Sequence, residues 1–217
     1  MLNNGVSALV LLAFAAPCCQ TSERKLPEMS TMQNAQPPGT LSATAQDCDL
    51  RVAIQASPTS LLLGYEFRNR SNRTAFLFNV VHKTGPSGGP EPDPNLVYVE
   101  PSGGSIILGK KIIPAPRGMR VEKPDVPYVT RVEPGQAVVE KLDLMLPLRI
   151  FTPYDQPAPS ALAEAAVYFE LGFFLAPDPS VAEAAGGYLI VDPFPAEKQI
   201  ILRAGPLGRF PVQPAQK

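Results

Sequence analysis

Hydrophobic and polar residues alternate along much of this chain, with the period of two that gives a β-strand one buried face. Four runs show the alternation most clearly, at 49–56, 60–67, 137–146 and 167–176. Their predicted core positions are Leu50, Val52, Ile54, Leu61, Leu63, Tyr65, Phe67, Val138, Leu142, Leu144, Leu146, Val167, Phe169, Leu171, Phe173 and Leu175. Glu140 is the exception to the alternation, because it is a charged residue at an inward position of its run. Phe174 lies on the side opposite the core positions of its run, which predicts that this strand is buried on both faces.

Shorter apolar runs, separated by turn signals, bring the expected total to about nine or ten strands. These runs lie at 96–100, 105–109, 126–133, 187–192 and 198–204. Pro134-Gly135 predicts a hairpin turn. One or two short helical turns are expected at 160–166 and 180–187, where Ser180 and Glu183 have capping-box spacing. The pattern therefore predicts an antiparallel β-sandwich, because helical crossovers for a parallel sheet would need more length.

A polar stretch at 68–74 separates two apolar strands. Asn69 and Asn72 begin N-glycosylation acceptor patterns, but short side chains such as Asn69, Ser71 and Asn72 also suit a turn, because they bond nearby backbone groups. We expect a hairpin here, with Tyr65 and Phe67 entering the core before the turn. On this hypothesis Phe76 and Phe78 return to the core after it.

The N-terminal segment 1–17 is an expected signal peptide, because its apolar run from Val6 to Ala16 is too short to span a membrane. Small residues precede the cysteine pair Cys18-Cys19, an arrangement that resembles a bacterial lipoprotein signal. The resemblance implies acylation of Cys18, with Cys19 as the weaker candidate. The alternative is cleavage after Ala15 or Ala16, which leaves ordinary cysteines.

The polar segment 18–48 is expected to be a flexible, disordered linker, and 205–217 a proline-containing tail, on either side of a domain at 49–204. Cys48 stands just before the first predicted strand. In an oxidising envelope, Cys19 and Cys48 are a possible disulfide pair. A small apolar Cys48 at a strand end is an equally good interpretation.

Composition and charge argue against several classes of function. The chain of 217 residues is 45% hydrophobic and has a net charge of −1, which offers no basic surface for nucleic acid. Its 26 prolines exclude long helices almost everywhere. The sole histidine, His82, ends an apolar run and is expected to be a surface residue, since no nucleophile motif accompanies it.

No cofactor or metal motif is evident. Glu91, Asp93 and Asn95 alternate with prolines, which favours a stiff solvated loop over a calcium site, and Asp155 lies in a similar turn. The long loop 83–95 is a candidate recognition segment, or a tolerated insertion. Lys110 and Lys111 are expected to be charges at a strand end. The stretch 108–124 is an irregular edge segment by its prolines, and a candidate surface for anionic lipid or glycan through Lys110, Lys111, Arg117 and Arg120.

The domain as a whole resembles immunoglobulin-like modules of bacterial exported proteins. The matching features are an apolar strand leading into 68–74, an aromatic strand after it, and the stretch 132–144. We therefore expect a non-enzymatic envelope protein, at the bacterial outer membrane or in the periplasm, that binds an unknown protein or glycan and is held by a lipid anchor. A soluble secreted form is the alternative location. The alternative function is a periplasmic inhibitor or chaperone-like module that presents a loop or edge strand to a client.

Overall fold

The computed structural model describes residues 39–121, 125–154, 163–176, 182–183, 187–191 and 195–213. These residues form 14 strands and a short 3-10 helix at Ala196–Lys198. The strands are β1 (Leu41–Ala45), β2 (Cys48–Ala56), β3 (Ser60–Asn69), β4 (Thr74–Thr84), β5 (Pro90–Asp93), β6 (Tyr98–Ser102), β7 (Ser105–Lys110), β8 (Tyr128–Val132), β9 (Ala137–Met145), β10 (Leu148–Arg149), β11 (Glu164–Ala176), β12 (Ala182–Glu183), β13 (Leu189–Ile190) and β14 (Ile200–Gln213). The predicted all-β fold is confirmed, and the two sheets are consistent with a sandwich. The prediction that all strands pair antiparallel is wrong, because β7 pairs with β11 and β10 pairs with β14 in parallel.

The smaller sheet is antiparallel, in the order β1-β2-β3-β9. Its register places Leu50 opposite Phe67, which brings two predicted core residues together on the inner face. The same register places Tyr65 opposite Glu140. Because directly paired residues of adjacent strands lie on one face, Glu140 points inward beside Tyr65.

The larger sheet has ten strands, and β11 is its central one. One edge of β11 pairs with β14. The other edge is shared: β7 runs parallel to residues 166–171, and β4 runs antiparallel to residues 173–176. Lys110 at the end of β7 pairs with Leu171, and Leu77 of β4 pairs with Phe173. Strands β7 and β4 therefore meet end to end along β11.

The main core lies between the two sheets. The ring of Phe67 is 5.2 Å from that of Phe173, and the ring of Tyr65 is 5.1 Å from that of Phe169, both as centroid distances. All four side chains are buried. Full burial of a large apolar side chain contributes about 1.5–3 kcal/mol, so this layer is the main source of the sandwich's stability.

The outer face of the larger sheet carries a second buried cluster. Phe174 stacks on Phe76 with ring centroids 5.0 Å apart, and Phe78 packs beside them at 5.7 Å. The prediction that the strand containing Phe174 is buried on both faces is confirmed. Phe76 and Phe78 face this outer cluster, whereas Ala75 and Leu77 face the main core.

The segment that follows β7 crosses over Gly172 of β11 and covers part of this outer face. A Cβ atom at Gly172 would lie 2.6 Å from Oε1 of Gln199 and 2.9 Å from Cβ of Lys111. The Gln199 side chain donates to the carbonyl of Ile112 and accepts from its amide, at 2.7 and 2.9 Å. The segment after β7 therefore passes directly over β11, so that Lys110 points inward and Lys111 outward.

Two predicted hairpins are wrong, because their strands belong to different sheets. Strand β3 lies in the smaller sheet and β4 in the larger, so 70–73 is a crossing between sheets. Strands β8 and β9 are divided in the same way, and Pro134-Gly135 is a second crossing. Backbone bonds from Asn69 to Gln136 and from Gly135 to Asn69 join the two crossings.

The predicted helical turns are also replaced by strands where the structure describes them. Strand β11 begins at Glu164, inside the expected helix 160–166. Ala182 and Glu183, inside the expected helix 180–187, pair with β13. Alanine and glutamate favour helices locally, but pairing with a sheet edge overrides that weak preference.

The strands extend past the predicted boundaries at both ends of the domain. Strand β1 lies within 18–48, where a flexible linker was expected, and pairs along its length with β2. Strand β14 continues to Gln213, so residues 205–213 of the expected tail belong to the larger sheet. The proline at 206 is accommodated where the β11–β14 register shifts, and a Cβ atom on Gly205 there would lie 2.7 Å from the Tyr168 ring.

Candidate ligand-binding cleft

The sole histidine lies in a cleft of about 620 Å³. His82 reaches it from β4, and the adjoining wall comes from the β5 hairpin, which pairs His82 with Pro92. Tyr128 at the start of β8 and residues 151–153 after β10 supply the opposite walls. The cleft is therefore built by several elements of the larger sheet and its connections.

His82 and Asp125 are the paired titratable groups of the cleft. Nε2 of His82 lies 3.3 Å from Oδ1 of Asp125. The same carboxylate oxygen accepts a hydrogen bond of 3.0 Å from the Tyr98 hydroxyl, and the Asp125 amide donates to the Tyr154 hydroxyl at 3.3 Å. Burial, and then the charge of Asp125, raise the pKa of Tyr98, so its hydroxyl remains a donor. Two tyrosines thus fix Asp125 against the histidine.

The other ring nitrogen of His82, Nδ1, is buried. Within the described residues, the buried Nδ1 atom has no hydrogen-bond partner. The imidazole meets the Tyr128 ring edge-on at 5.8 Å, which holds its orientation. Phe151, which is 36% exposed, stacks on Tyr98 and lines the cleft. The cleft therefore combines aromatic and polar side chains, a common combination in ligand sites.

The expectation that His82 is a surface residue is wrong. Its side chain is only 20% exposed, because the β5 hairpin and Asp125 flank it. The loop 83–95 is also more ordered than expected, since Pro90–Asp93 form β5 against β4. Asp125 lies far from His82 in the sequence, and only folding brings the two residues together.

The acidic residues of 91–95 do not converge on a common point. Asp93 accepts from the Asn95 amide at 3.0 Å and lies 3.5 Å from Nζ of Lys83. Among the residues described, no group of three or more His, Cys, Asp or Glu side chains is arranged to hold a metal ion. Asp155 lies outside the described residues.

The lysines at 110 and 111 lie at the end of β7, as expected, but both are buried, contrary to the expectation that they could meet anionic lipid or glycan. Lys110 continues the inward face of β7 after Ile106 and Leu108, and it is fully buried. Lys111 lies on the outer face, 2.9 Å from Glu100 and 2.5 Å from Glu170. Arg117 and Arg120 are exposed, as that expectation required.

Lys110 belongs to a polar group between the sheets, which we call the inter-sheet cluster: Tyr65, Asn79, Lys110 and Glu140. Nζ of Lys110 lies 3.0 Å from Oε2 of Glu140 and 2.6 Å from the backbone oxygen of Asn79. The Tyr65 hydroxyl donates to the same Glu140 oxygen, and Nδ2 of Asn79 donates to the other. A carbonyl bond from Lys110 to Pro94 at 2.6 Å completes the contacts of the ammonium group.

Two signals in the sequence point to this cluster. Glu140 breaks the apolar alternation of its strand, and Lys110 occupies the next inward position after Ile106 and Leu108. Two opposite charges on inward faces predict a buried pair. The signal at Lys110 is the weaker of the two, because Lys110 ends its strand and terminal charges are usually solvated.

The cysteines fall into two groups. Cys18 and Cys19 lie outside the described residues, so acylation and the Cys19–Cys48 disulfide remain predictions. Cys48 is a buried free thiol whose Sγ donates to Oδ1 of Asn69 at 3.6 Å. Burial, with the nearby Asp47 and Asp49, raises the pKa of the Cys48 thiol to about 11.

Comparison with known proteins adds no family to these observations, since no family model, curated protein or solved structure matches the chain. In the part of the chain that the structure describes, no helix has the length and apolarity needed to cross a membrane.

Proposed function

We propose that this protein is an exported, non-enzymatic envelope protein whose immunoglobulin-like sandwich binds a glycan in the His82 cleft. The leader and the Cys18-Cys19 pair support export and a lipid anchor at Cys18. The two-sheet architecture supports the immunoglobulin-like interpretation. The observation on which the binding proposal depends is the cleft of about 620 Å³, where the partly exposed Phe151 lines the wall together with the His82–Asp125 pair.

The chemistry of the cleft suits a sugar ring. A sugar presents apolar C–H faces together with hydroxyls that both donate and accept hydrogen bonds. Tyr128 and Phe151 offer aromatic surface, while His82, Asp125 and Thr152 offer polar atoms at the cleft wall. Tyrosine and phenylalanine supply such surface with few rotatable bonds, so little entropy is lost on binding.

The arrangement around His82 favours binding over nucleophilic catalysis. In the described chain, the contacts of the imidazole are with a carboxylate and with the edge of an aromatic ring. A catalytic histidine of the triad type needs a serine or cysteine nucleophile within hydrogen-bond reach of the nitrogen that its carboxylate leaves free. Here that nitrogen, Nδ1, is the one without a partner among the described residues.

A glycan array probed with the purified chain tests the cleft. We expect the wild type to bind a subset of glycans, and His82→Gln and Tyr128→Leu each to weaken that binding at least about tenfold, a loss of about 1.4 kcal/mol. Lys141→Gln, an exposed change on β9, is the matched control and should bind normally. Absence of glycan binding by the wild type, or equal binding by both cleft variants, would reject the proposal.

The anchor has a separate test in cells. Cys18→Ala should move the protein from the membrane fraction to the soluble fraction, because the acyl chains are attached through that thiol. Cys19→Ala is the control and should remain in the membrane fraction. Membrane retention of Cys18→Ala would contradict acylation at this residue.

The exposed edge of β9 favours a second candidate, a module that offers an edge strand to a protein client. In the described part of the chain, β9 pairs only with β3. Its Val139 and Met145 are 69% and 83% exposed. Val139→Lys should abolish crosslinking to a client if this edge is used, whereas His82→Gln should leave that crosslinking unchanged.

A further inference from the structure

The inter-sheet cluster holds an amine and a carboxamide together in a largely water-free site. Lys110 and Asn79 are 0% and 1% exposed. Lys110, the last residue of β7, pairs with Leu171 of β11, and Leu77 of β4 pairs with Phe173 of the same strand. The end of β7 therefore lies next to the part of β4 that follows Leu77. Asn79 follows Ala75 and Leu77 at the next inward position of β4, where the alternation of the strand places it on the inner face.

One carboxyl group connects the two nitrogen atoms. Oε1 of Glu140 lies 2.5 Å from Nδ2 of Asn79, and Oε2 lies 3.0 Å from Nζ of Lys110. The amine also contacts Asn79 directly, since Nζ lies 2.6 Å from the backbone oxygen of that residue. A carboxyl in this position can take a proton from the amine with one oxygen and give a proton to the amide nitrogen with the other.

Such chemistry needs the neutral amine, and burial makes that form easier to reach. Burial lowers the pKa of Lys110, although Glu140 opposes that shift. Burial, and then Glu140, raise the pKa of Tyr65, so its hydroxyl continues to donate to the carboxyl. The carbonyl oxygen of the Asn79 side chain has no hydrogen-bond partner among the described residues, although it is buried. A carboxamide with this unsatisfied oxygen is destabilised relative to one that is fully paired.

We propose that Lys110 and Asn79 form an intramolecular isopeptide bond, with Glu140 as the proton shuttle. The neutral amine of Lys110 attacks Cγ of Asn79, and a C–N bond forms there. Glu140 accepts a proton from the attacking nitrogen and delivers one to Nδ2, whose bond to Cγ then breaks. Ammonia leaves, the new amide joins the two side chains, and Glu140 ends in its starting state. No oxidant, metal or cofactor is consumed.

The reaction happens once in each molecule, so a slow rate is sufficient. A single slow turnover does not need a hydrogen-bond donor to the side-chain oxygen of Asn79. In an enzyme with many turnovers, loss of such a donor costs about 10²–10³ in rate. Glu140 keeps 21% of its side chain exposed, which gives ammonia a route to solvent. The product would tie β4 to β7 where they meet on β11.

Tryptic mapping of the folded wild-type chain tests the bond directly. Trypsin cuts after Arg73 and Lys83, so Asn79 lies in the peptide 74–83. Acylated Lys110 would resist trypsin, so the linked partner would be 84–111. We expect a branched species joining these two peptides, lighter than their sum by one ammonia molecule. Prolonged incubation of the folded protein that leaves 74–83 entirely unlinked would overturn the proposal and leave an ordinary buried ion pair.

Three variants separate the roles of the residues. Lys110→Arg removes the nucleophile, Asn79→Ala removes the carboxamide, and Glu140→Gln removes the shuttle, so none should yield the branched species. Lys111→Arg, whose side chain lies on the outer face, is the control and should retain it. A branched species that persists in Glu140→Gln would refute the shuttle. The wild-type map decides the bond itself even if a variant fails to fold.

Discussion

Two asparagines with almost equal burial have very different surroundings in this fold. Asn69 is 0% exposed and uses its whole amide: Nδ2 donates to the backbone oxygens of Arg73 and Val132, and Oδ1 accepts from Ser71. Asn79 is 1% exposed, but its Nδ2 meets a carboxyl group and its Oδ1 has no partner among the described residues. Equal burial therefore does not imply an equal role.

The comparison contrasts a structural amide, whose hydrogen bonds are satisfied, with the amide that we propose to be reactive. Around Asn69 the partners are mostly neutral backbone groups that fix the two crossings between the sheets. Around Asn79 the partners are ionisable, and the nearby amine can change its protonation state. A satisfied amide resists change, whereas a partly satisfied one beside an amine can react.

Removing the satisfied amide should have the largest effect. Asn69→Ala leaves several buried backbone groups without partners, and we expect a loss of about 4 kcal/mol in the free energy of unfolding. Urea denaturation followed by circular dichroism measures it. Asn72→Ala, an exposed change in the same turn, is the control and should stay within about 0.5 kcal/mol of the wild type. Equal losses in both variants would show that the turn, rather than the Asn69 amide, matters.

Breaking the charged cluster should have the next largest effect. Relative to the chain in which no Lys110–Asn79 link has formed, Lys110→Met leaves Glu140 without its cation, and we expect a loss of about 3 kcal/mol. The double variant Lys110→Met with Glu140→Gln should recover part of this loss, because no uncompensated charge remains. Lys141→Met on the exposed face of β9 controls for the lysine change. A double variant less stable than the single variant would contradict the charge argument.

The thiol beside Asn69 should make stability depend on alkaline pH. The folded pKa of Cys48, about 11, exceeds the ordinary value of 9.0, so the stabilisation is complete below pH 9 and is lost as pH rises toward 11. The expected loss at pH 11 is about 2 kcal/mol. The difference between wild type and Cys48→Ala isolates it, since other groups titrate in both. Parallel pH profiles for the two proteins would refute this prediction.

The cleft should contribute least to stability. His82→Gln should change the free energy of unfolding by no more than about 0.5 kcal/mol, since the side chain is partly exposed and has a weak ion pair. Thermal unfolding measures this effect alongside the glycan array. A large loss of stability would mean that the cleft residues have a structural role, as at Asn69.

Local pattern predicted the strands well but not their partners. The alternation around Leu61 and Phe173 identified core faces, and the period of two depends only on neighbouring residues. The turns at Asn69 and Pro134-Gly135 were expected to close hairpins, yet both cross between sheets. A turn has the same local chemistry in either case, so only the partner strands decide its role.

The sequence by itself determined an all-β chain, its core faces, and the odd inward charge at Glu140. Only the tertiary structure decided that Lys110 and Asn79 meet that charge, and that Asp125 meets His82. Alternation is encoded over a few residues, whereas these meetings depend on the order of strands within a sheet and on the packing of two sheets. Such long-range arrangement depends on the whole chain, which is why no short motif predicted the cleft, and why the inward charges of the inter-sheet cluster did not reveal that Asn79 joins them.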